Sequence, residues 1–230
     1  AQYHFPATQR SAEFIIRMGE NPKNIYVVGC PSIDVICETP VVNIQTLEEY
    51  FGLDFSKPIL LMIQHPVTTE VEDSFQQIKE AVDAIREVGI QTVTLLPNND
   101  AGYSKIMNQI QSSNISSVET LSIKDYVNLL RYSSGLIGNS SSGIHEAASF
   151  NIPVVNIGKR QLGRLNAGNV EFVGYDSNEI VNAVERASLD EKYRTQVSLL
   201  KNPYGDSTAA RKIRQAIDTV DLKAGRFGAH

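Results

Sequence analysis

The chain has 230 residues, 42% of them hydrophobic and 20% charged, with a formal net charge of −5. That is material for one larger or two small globular domains, and the acidic balance argues against a nucleic-acid binder held by bulk electrostatics. No window approaches the ~18 consecutive apolar residues of a membrane-spanning helix. The two cysteines, Cys30 and Cys37, set up no disulfide framework, so a reducing, cytoplasmic setting is the default.

Apolar residues at helical spacing predict a first helix over 8–18, with Thr8 as its cap and Ala12, Ile15 and Ile16 inward. The β-branched run 25–28 predicts a strand ending at Gly29, and a short helix starts at Pro31. A helix over 46–51 is stopped by Gly52. The wholly apolar run 58–63 reads as a parallel strand covered on both faces. A long amphipathic helix follows over 70–88, with Phe75, Ile78, Val82 and Ile85 as its stripe. Then come a strand over 91–96, a helix over 103–111, a strand over 115–120 and a helix over 123–132 with Ile123, Val127 and Leu130 inward. The stretch 135–160 gives a strand over 135–138, a small-residue turn, a helix over 144–150 and a strand over 153–157. A short strand over 171–173 precedes helices over 178–187, 191–200 and 208–220, and the last ten residues read as frayed.

Strands alternating with helices predict an α/β fold with a doubly wound parallel sheet. Such sheets bind ligands beyond the carboxyl ends of their strands, where strand order reverses. The candidate ligand segments are therefore Pro31 and Ser32, 64–69, 97–102, 139–143 and 158–164.

The turn Asn139-Ser140-Ser141-Ser142-Gly143 places hydroxyls and backbone N–H groups where a helix begins. A helix start leaves about four N–H donors unpaired and carries partial positive charge, which suits an anion, most often a phosphate. The Lys and Ser or Thr of a P-loop do not follow Gly143, and no GxGxxG is present. A capped helix without a ligand and a phosphate cradle both stay open on these residues alone. Glu146 either complements the helix dipole or accepts hydrogen bonds from a diol such as a ribose. Arg160 is a candidate for a second phosphate contact, because its planar fork suits phosphate. His65 reads as a structural histidine and His4 as a surface one, and the four histidines and two cysteines show no metal-ligand spacing.

Taken in order, HFPATQRSAEFIIRMG, VVGCPSIDVI, QHPVTTE, LLPNNDAG, GNSSSGIHEAASFNIPVVNIGKRQLGR and NPYGDSTAARKI resemble the hydrolysing UDP-N-acetylglucosamine 2-epimerases, most of all the sialic-acid-type branch. Related enzymes act on UDP-diacetamido-trideoxyhexoses such as bacillosamine derivatives. The resemblance implies a Rossmann-like domain of the glycosyltransferase B type, whose C-terminal half holds UDP. It divides the chain into a hinge and helix over 1–20, a UDP-binding domain over 21–205 and a C-terminal helix and tail over 206–230. An N-terminal domain carrying the acids that work at sugar carbon 2 would precede His4, and the chain, which lacks an initiator Met, reads as part of a longer protein.

By the same resemblance, Ser140, Ser141, Ser142 and the N–H groups through Gly143 hold the diphosphate, Glu146 binds the ribose and Arg160 lies near the diphosphate. His4 faces the diphosphate from the hinge and assists departure of UDP. Gln64, Tyr126 and Val127 are candidates for the uracil side. The implied partners are UDP and a UDP-N-acetylhexosamine, with a homo-oligomer for the intact enzyme, no nucleic acid, no membrane, and no metal or nicotinamide cofactor. A UDP-sugar glycosyltransferase of the same architecture is the competing reading.

Overall fold

The computed structural model describes residues 1–220, so the expectation of a frayed end at 221–230 lies outside the described residues. The described residues separate into two compact units, residues 1–38 with 202–220, and residues 39–201. The breaks fall at 38/39 and 201/202, where the sequence reading set them at 20/21 and 205/206.

The larger unit holds a six-stranded, all-parallel sheet. Its strands are β1 (Ile59–Ile63), β2 (Gln91–Leu95), β3 (Ser116–Val118), β4 (Gly135–Gly138), β5 (Val154–Ile157) and β6 (Val170–Val173), in the order β3-β2-β1-β4-β5-β6. That is the doubly wound order, and the winding reverses between β1 and β4. Side chains alternate across the pleat. Leu60 and Met62 face one way, onto a core shared with α4 (Ser74–Val88), α5 (Tyr103–Ser112) and α8 (Ser177–Leu189). Leu61 and Ile63 face the other way, onto Leu129 and Leu130 of α6 (Ile123–Tyr132) and onto Ala147 and Ile152. All four strand residues are buried, which is why the run reads as continuously apolar. Each such side chain contributes about 1.5–3 kcal/mol of burial. The remaining helices of this unit are α3 (Ile44–Phe51), α7 (Ser141–His145) and α9 (Glu191–Ser198).

Two inward assignments are corrected. Phe75 is 49% exposed, because the buried stripe of α4 runs through Ser74, Gln77, Ile78, Ala81, Val82 and Ile85, and Phe75 stands about 100° round from Ser74. Ile123 is 63% exposed at the first position of α6, where Val127 and Leu130 alone of the three turn inward.

The smaller unit contains α1 (Gln9–Arg17), α2 (Pro31–Glu38) and α10 (Ala209–Thr219). Thr8 caps α1 as expected, its hydroxyl accepting from Ser11 N–H at 3.2 Å. Ile16 does not turn inward; it is 40% exposed, and Ala12 is the buried residue of that helix. The strand expected at 25–28 is reduced to one parallel bridge, His4 to Ile25. Asn24 O accepts from His4 N–H, and His4 O and Pro6 O accept from Tyr26 and Val28 N–H. Proline has no N–H to return, so the ladder cannot continue. Buried Asp34 on α2 accepts from Ala209 N–H at 3.0 Å and Ala210 N–H at 2.7 Å, capping α10 from a distance of 175 residues in sequence.

Candidate functional site

The reversal of strand order brings the ends of β1 and β4 side by side, with Ile63 paired to Gly138. Gly138 has φ +119°, and a Cβ there would meet Ile63 O at 2.2 Å, so only glycine lets the two strand ends run this close. Asn139 N–H then donates to Ile63 O at 3.1 Å. The fully buried Asn139 side chain faces the loop after β1 and bonds it in both directions. Its Oδ1 accepts from His65 N–H and its Nδ2 donates to His65 O, each at 2.8 Å.

The Asn139 carbonyl collects the loop after β5, accepting from Arg160 Nη1 at 3.1 Å and Gln161 Nε2 at 2.8 Å. The loop after β2 joins through Asn98 N–H, which donates to His65 Nδ1 at 3.2 Å. Four strand ends are thus tied together at one crossing. Burial, and next the Arg160 guanidinium, hold the His65 imidazole below the usual histidine value, against an opposite pull from Asp100. The ring is therefore neutral near pH 7, with the proton on Nε2, because Nδ1 is taken as an acceptor.

The serine turn follows. Ser140 is the N-cap of α7, with extended backbone and its hydroxyl accepting from Ser142 N–H at 3.3 Å. Ser141 is exposed and Ser140 buried. Gly143 is needed for packing, since a Cβ there would lie 2.7 Å from Val154 Cγ1. The helix expected over 144–150 starts earlier and is interrupted. α7 ends at His145, and a 3₁₀ turn runs over Ala147–Phe150. Glu146 is the junction, so its carboxylate stands at the C-terminal end of α7 and not in the first turn, where the dipole would favour it. Its partner is Tyr126 of α6, whose phenol donates to Glu146 Oε2 at 2.7 Å.

The sequence-predicted residues divide accordingly. Ser140, Ser141, Ser142, Gly143, Glu146, Tyr126 and Arg160 meet around the turn at the β1–β4 crossing. Gln64 lies directly after β1, 1% exposed, with an Oε1 that has no hydrogen-bond partner among the described residues. Val127 is fully buried, so its side chain serves the core. His4 belongs to the smaller unit, where its Nε2 lies 3.0 Å from Glu20 Oε2 without hydrogen-bond alignment. Asn139 and Gln161, central to this geometry, lay within the candidate segments 139–143 and 158–164 without a role of their own, and His65 read as structural, as it is here. The available signal was a polar run after each of two buried strands.

Two cavities at this end of the sheet are lined by neighbouring loops. One of 400 Å³ is bounded by Leu96, Pro97, Asn99, Tyr103, Glu119 and Thr120, beyond β2 and β3. One of 370 Å³ is bounded by residues that include Glu70, Gln77, Lys159 and Tyr175.

Residues 1–218 match the sequence signature of the UDP-N-acetylglucosamine 2-epimerases. The chain belongs to this family. Among curated epimerases, the UDP-N,N′-diacetylbacillosamine 2-epimerase (hydrolyzing) of Legionella pneumophila is 33% identical over 226 residues, covering 96% of this chain and 59% of that protein. The UDP-N-acetylglucosamine 2-epimerase of Neisseria meningitidis is 28% identical over 187 residues, covering 80% of this chain and 49% of that protein. The chain therefore spans about half to three-fifths of the length of these epimerases. The crystal structure of the Neisseria meningitidis enzyme bound to UDP-GlcNAc superposes with a TM-score of 0.80 at 20% identity, covering 96% of this chain and 62% of that one. A Staphylococcus aureus MnaA–UDP structure superposes with a TM-score of 0.76 at 22% identity, covering 95% and 60%. The fold is that shared by these epimerases, a Rossmann-like domain of the glycosyltransferase B type. Among the described residues, no helix is long and apolar enough to cross a membrane.

Proposed function

We propose that this chain is the nucleotide-binding part of a hydrolysing epimerase that converts UDP-N-acetylglucosamine and water to N-acetylmannosamine and UDP. The observation that carries the reading is the Ser140-capped turn at the β1–β4 crossing, with Arg160 on one side and Glu146 on the other. Serine hydroxyls, N–H groups and a guanidinium converge on the diphosphate, and the carboxylate accepts from the ribose. Charge-assisted hydrogen bonds are worth about 1.5–3 kcal/mol each. Two or three of them, with apolar contacts, support roughly micromolar binding.

The reaction is anti elimination of UDP to a 2-acetamidoglucal, followed by addition of water on the other face with inversion at carbon 2. In the first step the C–O bond to UDP breaks and negative charge grows on the leaving phosphate. Donors held in advance at the turn stabilise that charge as it develops. His4, by its resemblance to the family, assists this departure from the hinge, and the acids that move the carbon 2 proton belong to the preceding domain. The intact enzyme works in the cytoplasm as a homo-oligomer.

The 33% identity to the Legionella pneumophila enzyme favours a second substrate reading, a UDP-diacetamido-trideoxyhexose. The full-length protein, incubated with each nucleotide sugar and followed by NMR, distinguishes the two by which one yields free 2-epimerised sugar and UDP. Calorimetric titration with UDP, using UMP and ADP as controls, tests the site. Micromolar UDP binding that is lost in Arg160→Ala is the expected result. Equal affinity for the three nucleotides, or an Arg160→Ala protein that binds like wild type, overturns the assignment.

A further inference from the structure

The geometry points to the Tyr126 hydroxyl as a positioning group, which fixes the Glu146 carboxylate for the ribose. This rests on the assignment of Glu146 to the ribose made above. Two observations carry it.

First, Glu146 needs a donor. It sits where α7 gives way to the 3₁₀ turn, with no side-chain cap bond there. A carboxylate at a helix C-terminus faces the negative end of the dipole. Without a fixed partner it would swing toward solvent and lose its aim. Tyr126 supplies that partner at 2.7 Å.

Second, the donor is itself rigid. The Tyr126 ring packs against the core cluster that contains Leu61, Ile63, Leu129 and Leu136. Its hydroxyl therefore projects from a fixed platform. Burial, and next the Glu146 charge, push the phenol well above its usual pKa, so it keeps its proton and remains a donor at any working pH.

One consequence follows. The phenol commits Oε2 of Glu146, which leaves Oε1 as the oxygen presented to the sugar.

The test is a ligand discrimination cycle on the full-length protein. UDP and 2′-deoxy-UDP are titrated into wild type, Tyr126→Phe, Glu146→Gln and the double variant, and thermal melts check that each folds. Tyr126→Phe keeps the ring and removes one hydroxyl. The expected result is a loss of UDP affinity of roughly fivefold to tenfold with 2′-deoxy-UDP nearly unchanged. The double variant is then expected to bind UDP no worse than Glu146→Gln alone, because both changes remove one coupled unit. If Glu146→Gln abolishes the discrimination while Tyr126→Phe leaves it intact, positioning by the phenol is overturned and the ribose assignment stands. If Glu146→Gln leaves the discrimination intact, the ribose assignment falls and the positioning role with it.

Discussion

Asn139 bonds the end of β1 and groups on the loops after β1 and β5, although it precedes the serine turn and need touch no ligand. Replacing it by alanine removes both amide bonds to His65 and strands two buried backbone groups. The expected loss is about 2–4 kcal/mol of folding stability, read from urea titrations, together with weakened UDP binding. Stability unchanged within error would show that water takes over both bonds. His65 beside it gives a pH prediction whose sign is fixed. Its folded pKa is depressed, so the unfolded chain binds the extra proton first as pH falls. Its contribution is complete above the unfolded value near 6.5 and is lost as pH falls through the folded value. His145, also depressed by burial and then by Arg164, acts in the same sense. The His65→Gln variant is expected to lose less stability than wild type between pH 7 and pH 5; an equal loss would assign the slope to other groups. At this scale the sequence exposed Ser140, Glu146 and Arg160, because hydroxyl, carboxylate and guanidinium advertise their chemistry. The partners of Asn139, His65 and Gln161 were hidden, because they depend on which strand ends lie together.

Among the elements, α10 shows how little a local signal can say about a cap. Thr208 stands at the capping position but makes no side-chain cap bond, and Asp34 of α2 does the work with both carboxylate oxygens. Asp34→Ala is expected to destabilise the protein by about 1–3 kcal/mol, while Asp34→Asn, which keeps one acceptor, costs less. The measurement is the thermal midpoint of each variant, and equal midpoints for the two would argue against the bidentate cap. Helices and strands with a strong period were legible in the sequence to within a few residues, as α6 and β4 illustrate. The strand at 25–28 was not, since what ends it is the missing N–H of Pro6 on a neighbouring segment. The break at Glu146 was equally silent, because the sequence around it is compatible with continuous helix.

For the whole molecule, the alternation of elements was enough to name a doubly wound sheet, and the order β3-β2-β1-β4-β5-β6 accords with it. One of the two compact units is assembled from separate stretches, and no local composition marks it. Both core clusters, with the partly buried residues packed against them, lie between Phe51 and Tyr193. A fragment of residues 39–201 is therefore expected to unfold in one cooperative transition by circular dichroism, whereas a broad, non-cooperative melt would mean that the sheet core is not self-sufficient. The discontinuous unit has a consequence for the order of events on the ribosome. Asp34 is made before its partners, since the backbone groups it caps, Ala209 and Ala210, follow 175 and 176 residues later. At roughly 5–20 residues per second, α2 waits on the order of ten seconds or more for its partner. Through that interval, while the strands of the sheet are being made, its buried face is available to chaperones and to wrong partners.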